Sequence, residues 1–162
     1  MEKNMAKNKS KAKMADFDKY KYYMETVQAP DSDVEFFEKA YKEIRGKNPV
    51  SLREDFCGTF AVCCEWVKLN VNYVSYGLDL DSEPLEYGKE HILSELNEEQ
   101  KSRVHTFERN VLEPGIEDVD MVVAQNFSYF IFQKRQELLN YFKTVHKSLK
   151  DDGLFVLDIF GG

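Results

Sequence analysis

Five short apolar runs alternate with helical segments along this chain, and each run ends in an acid or an amide. Val50 to Asp55 closes on Glu54-Asp55, and Tyr73 to Leu80 closes on Asp79 and Asp81. Arg103 to Glu108 is followed by Asn110, Val119 to Ala124 by Asn126, and Leu154 to Phe160 carries Asp158. Met121-Val122-Val123-Ala124 and Leu154-Phe155-Val156-Leu157 have no polar face to offer water. Strands of that kind belong in a parallel sheet covered by helices on both faces, so the expected class is α/β, built as a three-layer sandwich. In an open parallel sheet, ligands bind outside the carboxyl ends of the strands. One Asp or Asn at a strand end is an ordinary turn former or helix cap. Five of them aim a polar rim at one crevice.

The helices between these runs are marked by periodicity and caps. Phe17 to Val27 reads as a helix or lid. Ser32 and Glu35 form a capping-box pattern, and Val34, Phe37, Tyr41 and Ile44 follow at helical spacing until Gly46 and Pro49. Thr59 to Leu69 turns Val62, Trp66 and Leu69 to one face. Ser82 is the expected cap of a helix over Glu83 to Leu93, and Asn97 to Gln100 reads as one further helical turn. Gln133 to Leu149 is amphipathic, with Leu138, Tyr141, Phe142, Val145 and Leu149 inward and Gly153 as its stop. Three regions result: a disordered basic tail over 1–15, a helical lid region over 16–49, and a ligand-binding domain over 50–162.

Charge and composition narrow the partners. The net charge of -7 over 162 residues repels a phosphate backbone, so a nucleic-acid partner is not expected. Lys3, Lys7, Lys9, Lys11 and Lys13 stand in a tail with almost nothing apolar, which reads as a solvated segment. No apolar run nears the roughly 20 residues of a membrane span, and no secretory leader pattern opens the chain. Cys57, Cys63 and Cys64 are an odd set without disulfide or zinc spacing, and read as reduced, buried thiols of a cytoplasmic protein. No metal site is expected. His91 and His146 fall in helices and His105 in a strand, none with the setting of a catalytic base.

The first turn, Glu54-Asp55-Phe56-Cys57-Gly58-Thr59-Phe60, carries one glycine able to bring backbone close to a ligand. The G-x-G-x-x-G pattern of a pyrophosphate-binding turn is absent, which disfavours a nicotinamide-dependent oxidoreductase. Asp79 follows about 20 residues on, at the end of the next strand, where a carboxylate accepts from both ribose hydroxyls of a nucleoside.

These residues resemble class I S-adenosylmethionine-dependent methyltransferases over roughly Val50 to Gly162. Glu54 to Phe60 is similar to their first motif, an acid followed by a C-G-T core. Gly77-Leu78-Asp79-Leu80-Asp81 resembles the second-strand motif whose acid holds the ribose. Glu108-Arg109-Asn110-Val111 resembles the segment beside the adenine amino group, and Asn126-Phe127-Ser128-Tyr129 the segment that places substrate. Leu149 to Gly153 is similar to the turn before their fifth strand. D-F-C-G-T and N-F-S-Y together look like a bacterial subgroup. The resemblance implies a Rossmann-like sheet of order 3-2-1-4-5 and S-adenosyl-L-methionine as cofactor. It implies contacts from Glu54, Phe56, Cys57, Gly58, Thr59, Asp79, Leu80, Asn110, Val111 and Asn126. It also makes Asn126 and Tyr129 the candidates near the reacting atoms. Phe56 and Phe60 stand where most members carry glycine. The methyl acceptor, a small molecule or a protein, is not written in the chain.

The same resemblance leads to two further expectations. The family's sheet continues into an antiparallel hairpin that this chain lacks, so the fifth strand is expected at an edge. Its apolar residues are expected to pair with a second copy or a partner segment. A non-catalytic nucleoside-binding or interaction module related to methyltransferases is the alternative reading.

Overall fold

A computed structural model describes residues 18–27, 29–116 and 118–159. The expected basic tail over 1–15 and Phe160 to Gly162 lie outside the described residues. Among the described residues six α-helices and five strands follow one another: α1 Lys19–Val27, α2 Pro30–Arg45, β1 Ser51–Asp55, α3 Ala61–Leu69, β2 Val74–Asp79, α4 Ser82–His91, α5 Glu98–Lys101, β3 Val104–Glu108, β4 Val119–Ala124, α6 Arg135–Ser148 and β5 Leu149–Leu157. All described strand pairs are parallel, and the sheet order is β3-β2-β1-β4-β5. This is the expected α/β, Rossmann-like arrangement.

The sheet separates two apolar layers. On one side Leu52, Met121 and Val123 meet Val34, Phe37 and Tyr41 of α2, Val62, Trp66 and Val67 of α3, and Leu85 of α4. On the other side Leu78, Val122 and Ala124 meet Tyr141 and Val145 of α6. All five residues of β1 and all six of β4 are buried, as central strands covered on both faces must be. β1 therefore holds Arg53 and Asp55 entirely inside, paired at 2.9 Å and 3.1 Å, with the Tyr141 hydroxyl donating to Asp55 at 2.9 Å. Burial pushes the Asp55 carboxyl up, and Arg53 and Tyr141 oppose that shift.

Several local expectations are corrected. Ser32 does not cap α2: the helix starts at Pro30, whose fixed φ suits the first turn, and Ala29 is the N-cap. Phe142, expected inward, is 37% exposed, and Ile44, which continues the helical spacing of α2, is 60% exposed. Asp81 rather than Ser82 caps α4, accepting from the Glu83 amide at 3.0 Å. Asn97 and Gln100 make the reciprocal capping box of α5. Gly153 does not stop α6. That helix ends at Ser148 and β5 begins at once, with Gly153 inside it. Between Val119 and Met121 of β4 the partners on β5 jump from Leu149 to Leu154, so Lys150 to Gly153 bulge out of register. Lys150 uses that bulge to reach Asp120 at 2.9 Å.

Candidate cofactor site

The turn after β1 sets the site. Phe56, Gly58 and Phe60 all have positive φ, at 59°, 51° and 47°. A side chain in that region is strained, and glycine is not. The two phenylalanines thus keep the backbone that glycine would adopt freely. Each is held by packing. Phe60 is fully buried, and Gly88 of α4 makes room for it: a Cβ there would stand 2.5 Å from the Phe60 ring and 2.4 Å from the Thr59 carbonyl. Phe56 lies against Phe132 and Tyr141, with ring centroids 6.1 Å and 5.8 Å away. A Cβ on Gly58 would meet nothing within 4 Å, so its backbone faces open space.

Asp79, at the end of β2, ties this turn to the next one. Its Oδ2 accepts from the Gly58 amide at 2.7 Å and its Oδ1 from the Asp81 amide at 2.9 Å. Two cavities open around these residues. The first, about 390 Å³, is lined by Lys19, Tyr20, Phe56, Cys57, Gly58, Thr59, Asp81, Pro84, Asn126 and Ser128. The second, about 280 Å³, is lined by Phe56, Asp79, Leu80, Asp81, Arg109, Asn110, Val111, Leu112, Ile131 and Phe132. Phe56 and Asp81 belong to both.

Nine of the ten residues expected at the cofactor therefore line one cavity or the other. Glu54 lines neither. It points across the sheet toward α3, is 5% exposed and accepts from the Cys63 amide at 3.3 Å. Burial pushes its carboxyl up to about 8, against the Cys63 hydrogen bonds. Tyr129 also lines neither cavity. It is 5% exposed and packs beside Phe130 and Phe142. Asn126 lines the first cavity with φ at 55°, and Asp158 fixes it there. Asp158 accepts from the Asn126 and Phe127 amides at 2.8 Å and 2.9 Å, joining the ends of β4 and β5.

Sequence reasoning missed Lys19, Tyr20 and Pro84 in the first cavity, and Leu112, Ile131 and Phe132 in the second; Ser128 and Arg109 also line them, and were named only within the two family-like segments. A signal existed for Ile131 and Phe132, because an apolar pair in a loop just past a strand end has no sheet to bury it. Lys19 and Tyr20 arrive from α1, whose tie to the body is read only in three dimensions. Lys19 pairs with Glu83 at 2.6 Å, and Asp18 accepts from the Tyr87 hydroxyl at 2.8 Å. Among the described residues no three His, Cys, Asp or Glu side chains cluster to hold a metal, and no helix is long and apolar enough to cross a membrane.

By sequence, no protein-family model and no curated protein matches the chain. By structure, it is similar to solved methyltransferases. The sugar N-methyltransferase KedS8 from a Streptoalloteichus species superposes with a TM-score of 0.70 at 16% identity, over 98% of this chain and 60% of that one. The plantazolicin methyltransferase BpumL, in complex with a triazolic desmethylPZN analog and SAH, gives 0.66 at 15% identity, over 85% and 50%. The glycopeptide N-methyltransferase MtfA complexed with S-adenosyl-L-methionine gives 0.65 at 16% identity, over 82% and 55%. The chain thus has the Rossmann-like fold of class I methyltransferases. It spans 50% to 60% of the length of these structures.

Proposed function

We propose that the chain is the cofactor-binding part of an S-adenosylmethionine-dependent methyltransferase, with the nucleoside half of the cofactor in the second cavity and the methionine half in the first. One observation carries the reading. Asp79 lines the second cavity, and its hydrogen-bond partner Gly58 lines the first, so one carboxylate at a strand end links two compartments of different chemistry.

The residues fit that ligand. Leu80, Val111, Leu112, Ile131 and Phe132 offer a base apolar walls. Asn110 Oδ1 accepts from the Leu112 amide at 2.9 Å, which leaves its NH₂ group to donate to a ring nitrogen. Asp79 accepts two amide protons and keeps acceptor capacity for a ribose diol, because a carboxylate offers about four lone-pair sites. The same geometry disfavours a dinucleotide. A pyrophosphate at this turn needs the Gly58 N–H, which Asp79 already takes, and it would meet that negative charge.

S-Adenosylmethionine supplies the electrophilic methyl carbon and its own leaving group. The chain's task is then to align and to exclude water. Phe56 and Tyr20 supply apolar surface at the first cavity, and Asn126 and Ser128 are the polar groups that would orient an acceptor there. α1 would serve as a lid, since Lys19 and Tyr20 line that cavity and its ties to α4 are surface contacts. Calorimetric titration with S-adenosylmethionine, S-adenosylhomocysteine and a nicotinamide dinucleotide tests the proposal. Binding of the first two and not the third is expected. Binding of the dinucleotide alone would overturn it.

A further inference from the structure

The residues common to both cavity linings are Phe56 and Asp81, an aromatic ring and a carboxylate. Asp55 and Cys57 are buried, and Phe56 between them is half-buried, so this side chain of the turn reaches the cavities. Its ring packs against Phe132 and Tyr141, and Tyr141 is itself fixed by its hydroxyl bond to Asp55, the partner of Arg53. Glycine adopts a φ of 59° freely and a side chain rarely does, so the ring is kept despite backbone strain. Strain retained at a cavity wall points to a use for the side chain that causes it. Asp81 caps α4 with Oδ1, which accepts from the Glu83 amide at 3.0 Å. A carboxylate has about four acceptor sites, so its charge stays available to the cavities. The cations of the two linings are engaged with the protein. Lys19 pairs with Glu83 at 2.6 Å, and Arg109 Nη1 donates to the Pro114 carbonyl at 2.8 Å, in the room that Gly115 leaves.

We propose that Phe56 and Asp81 together recognise the sulfonium charge, and so make the chain distinguish the cofactor from its neutral thioether product. The proposal rests on the cofactor reading of the two cavities. In that reading the nucleoside half occupies the second cavity and the methionine half the first. One sulfur joins those halves covalently, so it belongs at their boundary, where the residues common to both linings stand. An aromatic ring attracts a cation through its quadrupole, and a carboxylate attracts it by charge. S-Adenosylhomocysteine carries the same two halves on an uncharged sulfur and draws on neither attraction. Phe56 stands where most class I methyltransferases carry glycine, so the ring is a property of this chain rather than of the fold.

The test is calorimetric titration of the full chain with S-adenosylmethionine and, separately, with S-adenosylhomocysteine. Phe56→Leu keeps an apolar side chain and removes the ring, while Asp81→Asn keeps the helix cap and removes the charge. Each is expected to weaken S-adenosylmethionine by about threefold to tenfold and to leave S-adenosylhomocysteine within about twofold. Phe56→Gly, whose backbone suits the turn, should shift the ratio as Phe56→Leu does, and it carries the test if Phe56→Leu fails to fold. Equal losses for both ligands would make Phe56 a wall without charge recognition and overturn the proposal. Unchanged S-adenosylmethionine affinity, or a ratio shift confined to one of the two positions, would overturn it as well. If the parent chain binds neither ligand, the cofactor reading itself falls, and this proposal with it.

Discussion

The carboxylate of Asp79 accepts the amide proton of Gly58 at 2.7 Å, across 21 positions of chain. That bond fixes the turn after β1 against the end of β2 before any ligand arrives. Asp79→Ala would leave the Gly58 amide without its acceptor and remove the proposed ribose contacts. Hydrogen bonds to a charged group contribute roughly 1.5–3 kcal/mol. Affinity for S-adenosylhomocysteine should fall by a corresponding factor of about 10 to 150. An unchanged titration would remove Asp79 from the site.

Asp120 plays the matching part at the opposite rim of the sheet. It accepts from the Val50 and Ser51 amides, the Ser51 hydroxyl, the Tyr41 hydroxyl and Lys150, at 2.8–3.4 Å. Burial works against its charge, but the hydrogen bonds from Ser51, Lys150 and Val50 prevail and hold the carboxyl below its usual value. Its contribution to stability is therefore present above the unfolded value and lost as pH falls through the folded one. Asp120→Asn should cost about 2–4 kcal/mol in urea unfolding at pH 7. The difference from the parent should shrink in strong acid, and ligand affinity should hold.

Glu54 has the opposite sign. Its carboxyl titrates at about 8 when folded against an ordinary 4.5, so between those values the folded chain holds a proton the unfolded chain lacks. Stability from this group falls as pH rises from 4.5 through about 8. Glu54→Gln mimics the protonated form. It should gain about 2–4 kcal/mol over the parent at pH 8 and nothing at pH 4. Parallel pH profiles for the two proteins would show that Glu54 is ionised in the fold.

All three cysteines are buried, and burial pushes each thiol up, Cys64 to about 12. A thiol-reactive aromatic disulfide should titrate none of them in the native chain within minutes and all three in denaturant. Cys57 lines the first cavity, but at 3% exposure it acts as filling. Cys57→Ala should keep S-adenosylhomocysteine affinity within about threefold, less than one charged hydrogen bond contributes. A hundredfold loss would give the thiol a binding role.

The sequence by itself determined the layers and the end of the sheet where the crevice lies. Those follow from local patterns: β4 has no polar face along Met121 to Ala124, so it had to be central, and Asp79 and Asn126 mark where strands stop. Caps were less legible. The capping-box pattern pointed to Ser32, but α2 starts at Pro30, through proline's fixed backbone, which a side-chain pattern does not weigh. The tertiary structure alone decided which side of a strand each acid serves. Glu54 and Asp55 are adjacent in sequence, and the pleat sends the first toward α3 and the second to Arg53 and Tyr141, so neither reaches the cavities. It alone brought Lys19 and Tyr20 to the first cavity and Gly115 beneath Arg109. Periodicity reports which face of an element is apolar, and it carries no information about which distant groups meet once those faces are buried.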